Sequence, residues 1–268
     1  MQNLRTFLFR LSKHGSFPKH LTASILRAAT ELSNLSTTLF PSQCLLCACR
    51  LQGTLMCANC QYDLPHTYGQ LLCQQCGLRI ASLSHFCGNC LHHPPAFSRS
   101  FMPFSYEYPL DSLIHKFKYH ANLTAGKLLG QMLAESVKHH AMENTDLATP
   151  DLMIPVPLHR WRRWLRGFNQ AEILAEHIAS ELHIPVATNI VHRKHKTPSQ
   201  KGLSRSERQK NLRHTFAIQK KQLSKIEGKC IAIVDDVVTT TATVRELSAL
   251  LMKLGAKDVQ VWALARTM

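Results

Sequence analysis

Cys230-Ile-Ala-Ile-Val-Asp-Asp-Val-Val-Thr-Thr-Thr-Ala-Thr243 is the stretch from which the rest of the chain can be placed. Ile231, Ala232, Ile233 and Val234 form a short apolar run rich in β-branched residues, as expected of a strand buried on both faces of a parallel sheet. Asp235 and Asp236 follow at once, then the small, hydroxyl-rich loop Thr239, Thr240, Thr241, Ala242 and Thr243. Residues 244–254 are apolar at helical spacing, and Gly255 suits a helix C-cap. The pattern therefore sets acids and hydroxyls between the carboxyl end of a strand and the amino end of a helix. Open α/β sheets bind ligands at that position, and the free N–H groups of a helix start favour a phosphate. Adjacent acids there can hold ribose hydroxyls, or a Mg²⁺ that carries phosphate oxygens. A lone Asp would read more simply as an Asx turn capping a helix. The doubled acid before a run of threonines points to a ligand site.

This arrangement resembles the phosphoribosyl-pyrophosphate motif of type I phosphoribosyltransferases. In that family the two acids contact the ribose hydroxyls and a Thr/Gly loop wraps the 5′-phosphate. The family loop usually carries Gly where this chain has Thr241, and a Cβ there tightens the turn.

A chain of 268 residues has room for one full α/β domain and a smaller module. It contains no run of 18 apolar residues, so no spanning helix is expected. Arg5 and Arg10 near the start are not followed by a signal-peptide apolar core, which makes a cytoplasmic protein the expectation. The net charge of +15, before any of 16 histidines protonates, favours a polyanionic partner, either nucleic acid or an anionic membrane surface. The charge is uneven: between residues 158 and 227, fifteen Lys/Arg face five Asp/Glu, a local excess of +10.

Nine of the ten cysteines lie between positions 44 and 90, and in a cytosolic protein such clustering speaks for metal over disulfides. Cys44-Leu-Leu-Cys47 and Cys57-Ala-Asn-Cys60 are nine residues apart; Cys73-Gln-Gln-Cys76 and Cys87-Gly-Asn-Cys90 are ten apart. Each Cys-x-x-Cys can place two thiolates on one tetrahedral ion, and two such knuckles close a structural zinc site. Four knuckles at a nearly repeated spacing make an internal duplication with two zinc ions, and either sequential or interleaved pairing satisfies the spacing. Cys49 is a spare that could replace Cys47. Gly77 and Gly88 follow cysteines where a tight turn wants positive φ. Metal binding is expected to supply the folding free energy of this apolar-poor module, and with every ligand position filled no metal-based catalysis is expected.

Three segments follow from the composition: a basic extension over residues 1–43, a double zinc ribbon over 44–95 and a ligand-binding domain over 96–268. The extension carries five Lys/Arg and one acid, with Leu4, Phe7, Leu8 and Leu11 on one helical face. Such a start suits peripheral contact with a membrane or packing on the body, and both readings stay open. Residues 100–108 read as an edge strand or a hairpin around Pro103, and residues 151–157 as a strand running out at prolines. The segment 158–170 reads as a loop, in which Arg160, Trp161, Arg162, Arg163, Trp164 and Arg166 interleave guanidinium groups with aromatic rings. Arginine forks grip phosphate oxygens and indoles stack on bases, so the loop fits pyrophosphate or a single strand of nucleic acid. Arg193, Lys194, Lys196, Arg205 and Arg208 extend the basic surface along a polar segment that reads as a flap over a site.

Together these marks resemble the ComF family of competence proteins, with a phosphoribosyltransferase-like parallel sheet flanked by helices. They are the four knuckles, Phe104-Ser-Tyr-Glu-Tyr-Pro-Leu110, Ile114-His-Lys-Phe-Lys118, Ile154-Pro-Val-Pro157, Arg166-Gly-Phe-Asn-Gln170, Arg193 with Thr197 and Gln200, Arg208 with Asn211, and the Asp-Asp-Thr loop. The resemblance covers residues 44–267. It implies that Asp235 and Asp236 hold the ribose hydroxyls and Mg²⁺ of phosphoribosyl pyrophosphate. Residues 239–243 would then bind its 5′-phosphate, and Arg162, Arg163 and Arg166 would face the pyrophosphate. It also implies a role in natural transformation, with single-stranded DNA and DNA-uptake or recombination proteins as partners. Two functions are therefore expected. One is a DNA-handling protein with a regulatory or vestigial phosphoribosyl-pyrophosphate pocket. The other is a phosphoribosyltransferase that uses Asp235 and Asp236 catalytically on a nitrogenous acceptor.

Overall fold

The computed structural model describes residues 42–81, 84–143, 149–193 and 215–268. The expected amphipathic helices of the first 41 residues and the flap with Lys194, Lys196, Arg205 and Arg208 lie outside the described residues. The chain divides into two units, Met1–Ala58 and Asn59–Met268. The division falls inside the knuckle Cys57-Ala-Asn-Cys60.

In the first unit, β1 (Ser42–Gln43) pairs antiparallel with β2 (Arg50–Leu51). The intervening turn is held by Cys44 N–H to Cys49 O at 2.9 Å and Ala48 N–H to Cys44 O at 2.9 Å, with Ala48 at φ 60. Helix α1 (Ala58–Tyr62) begins at the division. In the second unit the same turn recurs, with Cys73 N–H to Leu78 O and Gly77 N–H to Cys73 O, both 2.8 Å, and Gly77 at φ +69. Gly88 does not share this conformation. It starts α2 (Gly88–His92) behind an extended Cys87, because a helical turn is what brings Cys90 back beside Cys87.

The body contains β3 (Arg99–Phe101), β4 (Phe104–Ser105), α3 (Leu110–Tyr119), α4 (Leu123–Glu143), β5 (Leu152–Pro155), α5 (Arg160–Arg166), α6 (Gln170–Leu182), β6 (Val191–Arg193), β7 (Phe216–Ile218), β8 (Cys230–Val238), α7 (Ala242–Lys253) and β9 (Asp258–Arg266). The main sheet runs β3-β9-β8-β5 with all pairs parallel. β4 resumes the line of β3 along β9 beyond Pro103, so residues 100–108 form an interrupted edge strand and not a hairpin. Proline has no N–H for the ladder and is tolerated at an edge.

Ile231 and Ile233 join Val259, Val261 and the α7 residues Val244, Leu247 and Leu251 in one core. Ala232 and Val234 alternate to the other face and are fully buried too. There α6 packs on β8 and β5, and α4 on α6 and β9. Glycine allows these helices to approach. A Cβ on Gly126 would come within 2.4 Å of Phe117 on α3, and one on Gly130 within 2.2 Å of His177 on α6. Among the described residues, no helix is long and apolar enough to cross a membrane.

Strand β8 is longer than its apolar run. It continues through Asp235 and Asp236 to Val238 because β9 accompanies it, pairing Asp235 with Ala263 and Val238 with Arg266. On its other side β5 stops at Pro155, opposite Val234. Among the described residues, the β5 ladder on that flank of β8 ends before Asp235. β6 and β7 form a separate antiparallel pair.

Candidate functional site

The two acids differ in their surroundings. Asp236 makes an ion pair with Lys118 near the end of α3, Nζ to Oδ2 at 3.0 Å, and accepts the Val237 N–H at 2.7 Å. Asp235 accepts the Asp236 N–H at 2.9 Å. Burial, and then the Asp236 charge, raise the Asp235 carboxyl from 3.8 to about 7; the Asp236 N–H, Lys118 and Arg193 offset this only in part. Two carboxylates at an open strand end suit a hard divalent cation such as Mg²⁺, which would relieve the repulsion between them. Lys118 belongs to a motif quoted from the sequence, yet the sequence offered no sign that it would reach Asp236.

Residues 239–243 turn from β8 into α7. Thr241 is left-handed, φ 59 and ψ −4, the conformation glycine adopts without cost. Its hydroxyl donates to Thr240 O at 2.6 Å and accepts from Arg245 Nε at 3.1 Å. No side chain caps α7. The first N–H groups of this 12-residue helix are therefore available to an anion, in keeping with the 5′-phosphate role that the motif implies.

Arg193, assigned from the sequence to a nucleic-acid surface, turns inward. Its guanidinium lies 5.5 Å from the centroid of Phe216, and its Nε is buried with no hydrogen-bond partner. Burial and Arg162 lower its pKa, while Glu246 and Asp235 oppose them. Arg193 thus belongs electrostatically with the acid pair. Glu246, on α7, accepts the Thr215 N–H at 2.6 Å, and burial raises its pKa. Nothing in its helical position on the sequence distinguished it.

The expected loop at 158–170 contains a helix instead. His159 Nδ1 accepts the Trp161 N–H, Gly167 closes the helix at φ 79, and arginines are good helix formers between them. The helical turn brings Trp161 and Trp164 together, ring centroids 5.1 Å apart at 28°, with relative exposures of 59% and 74%. Arg163 is engaged by Glu172 at 2.9 Å. Arg166 donates to Gln170 at 3.0 Å and lies over the Tyr119 ring. Arg160 and Arg162 are exposed. Asn169 fastens the following helix, donating to Val156 O at 3.0 Å and capping α6 through Ala171 N–H.

Two cysteine groups have sulfurs within 4.8 Å of one another: Cys44, Cys47, Cys49 and Cys57 in the first unit, and Cys73, Cys76, Cys87 and Cys90 in the second. Zn–S bonds of about 2.3 Å in a tetrahedron put sulfurs about 3.8 Å apart. The Cys47–Cys57 and Cys76–Cys87 separations of 3.7 and 3.5 Å fit. Pairing is sequential, not interleaved. Cys49, set aside as a spare, stands within the first group; Cys60, expected there, sits in helix α1. Burial raises the Cys44 thiol, but the backbone N–H groups of Cys47, Cys57 and Leu46 outweigh it and bring the value from 9.0 to about 6. The Cys47 side chain pushes Cys49 up to about 12. Neighbouring thiolates that compete for charge are what a divalent ion would neutralise.

A family model described as a phosphoribosyl transferase domain matches residues 169–268, and one described as a double zinc ribbon domain matches residues 35–91. Competence protein F of Haemophilus influenzae is 36% identical over 214 residues, covering 79% of this chain and 90% of that protein. DNA utilization protein YhgH of Escherichia coli K12 is 39% identical over 198 residues, covering 74% of this chain and 85% of that protein. Among solved structures, the glutamine phosphoribosylpyrophosphate amidotransferase of B. subtilis is 21% identical over 51% of this chain and 25% of its own, with a TM-score of 0.32.

Proposed function

Because this chain belongs to the family of competence protein F, we propose that it handles incoming single-stranded DNA in the cytoplasm during natural transformation, with a phosphoribosyl-pyrophosphate pocket that modulates it. The observation that carries the DNA role is α5. On one short helix it presents a stacked, exposed pair of indoles beside the exposed Arg160 and Arg162. Indoles stack on bases regardless of sequence, and free guanidiniums neutralise phosphates. In the pocket, Asp235 and Asp236 would hold the ribose hydroxyls through or beside Mg²⁺, residues 239–243 the 5′-phosphate, and Arg193 with Arg162 the pyrophosphate. Mg²⁺, when bound, supplies charge neutralisation for the phosphates.

Fluorescence anisotropy of a labelled single strand over a salt series tests this. Replacing Trp161 and Trp164 by Ala should weaken binding about 10- to 100-fold, at roughly 1–3 kcal/mol for one base stacked on the indole pair. Arg160→Ala with Arg162→Ala should flatten the salt slope by about one to two phosphates. Asp235→Asn with Asp236→Asn should leave DNA affinity in place and abolish its response to phosphoribosyl pyrophosphate. Affinity that ignores both salt and the two indoles would rule out the DNA role.

The elevated Asp235 carboxyl beside the Lys118–Asp236 pair favours a second reading, phosphoribosyl transfer to a nitrogenous acceptor with pyrophosphate leaving. Pyrophosphate release on addition of an acceptor, lost in Asp236→Asn, would support it. Absence of release with bases, amines and DNA ends would remove it.

A further inference from the structure

Two arginines join the second cysteine cluster to the threonine loop. Arg245, on α7, divides its guanidinium three ways: Nη2 donates to Cys90 Sγ at 3.5 Å, Nη1 to His93 O at 2.7 Å and Nε to Thr241 Oγ1 at 3.1 Å. Arg266, at the end of β9, is only 3% exposed. Its Nε donates to Cys76 O at 2.8 Å, and its Nη1 to Val238 O at 3.0 Å, Thr267 O at 2.7 Å and the Thr239 carbonyl. Each arginine therefore grips a cysteine of the cluster with one nitrogen and the loop, or the strand end leading into it, with another.

The charges complement each other as well. Among the described residues neither arginine forms an ion pair with a carboxylate. A guanidinium as buried as that of Arg266 is costly without a counter-charge. A zinc ion on four thiolates leaves two negative charges, and Arg245 and Arg266 bring two positive ones. The left-handed Thr241, whose backbone would not hold that conformation cheaply on its own, is pinned by the same Arg245.

We infer that Arg245 and Arg266 are positioning residues through which metal at Cys73, Cys76, Cys87 and Cys90 sets the shape of the 239–243 loop, so that zinc occupancy and binding of a sugar phosphate support each other. This rests on reading the loop as a phosphate site. When the metal leaves, the arginines lose their counter-charge, the Val238, Thr239 and Thr241 contacts loosen, and the loop loses its anion-binding form. Linkage requires the reverse: a phosphate in the loop holds the metal.

The test uses the full zinc-loaded chain and ribose 5-phosphate as probe. Zinc release into a chromogenic chelator is followed with and without the probe, and probe affinity is measured by calorimetry. Saturating ribose 5-phosphate should slow release of one of the two zinc ions about fivefold or more, leaving the other unchanged. Arg245→Gln, at a position less buried than Arg266, should abolish that protection and weaken probe binding by a similar factor. Arg245→Lys, which keeps the charge and loses the fork, should recover part of both. Wild type that binds the probe but releases both ions at unchanged rates overturns the coupling alone. Wild type that binds no ribose 5-phosphate overturns the loop reading, and the coupling with it.

Discussion

The two cysteine groups carry the same sequence signal and have different surroundings. The first is built from short turns, and its Cys47 and Cys49 are exposed. In the second, Cys73, Cys76 and Cys90 are buried, Leu78, Ile80 and Phe86 pack against them, and Arg245 and Arg266 tie them to the threonine loop and the strand end before it. The two copies of the thiol pattern thus differ: one is built on its own turns, the other is tied to residues 238–241 by two arginines. Thiolate spacing makes a metal site; the groups that meet the thiolates decide what else depends on it.

The largest expected effect breaks this contrast most directly. Cys73→Ser should lower the main thermal transition by about 10 °C or more, consistent with a loss of roughly 3–5 kcal/mol from a metal site integral to the body. Cys47→Ser should move that transition by no more than about 2 °C. Calorimetry of the two variants side by side checks it, and equal shifts would erase the distinction. Metal removal sharpens the same point. Under a chelator the exposed first site should empty first, about tenfold faster, with little change in ribose 5-phosphate affinity until the second site empties.

A smaller effect concerns the acid pair, which shares its unit with the second cluster. Because folding raises the Asp235 carboxyl from 3.8 to about 7, its contribution to stability is complete below pH 4 and is lost as pH rises through 7. Zinc-loaded protein without Mg²⁺ should lose about 1–3 kcal/mol across that window. Asp235→Asn should remove the dependence and raise the stability at pH 8; denaturant titrations at pH 5 and 8 measure both. Emptying the first cysteine site should leave this profile unaltered. The smallest effect is expected at Thr241. Thr241→Gly relieves a left-handed side-chain residue but deletes the Arg245 contact, so stability should change by less than about 1 kcal/mol. Ribose 5-phosphate affinity should rise a few fold, because the backbone can approach the anion more closely.

Much of the candidate site is contiguous, and contiguous features are readable. The run 230–243 announces a buried strand, two acids and a turn into a helix by local pattern alone, and the structure follows it except that β8 continues through the acids. That extension depends on β9, which supplies ladder partners as far as Arg266. The aromatic-basic segment was legible as a composition but not as a helix; its caps, His159 and Gly167, were there to be seen. Other parts were hidden for a physical reason. Lys118 meets Asp236 and Arg193 lies against Phe216 through packing that no periodicity encodes.

What the sequence by itself determined was therefore local: a parallel α/β sheet from buried β-branched runs, cysteine knuckles from thiol spacing, and an acid pair leading into a helix start. Such features depend on residues a few positions apart, where backbone geometry leaves few choices. Only the tertiary structure decided which cysteines share a site, which basic groups face the acids, and that Arg245 and Arg266 reach Cys90 and Cys76 across 155 and 190 positions. Those contacts arise when sheet closure brings distant strand ends together, and their strength comes from charge and burial that exist only in the folded chain.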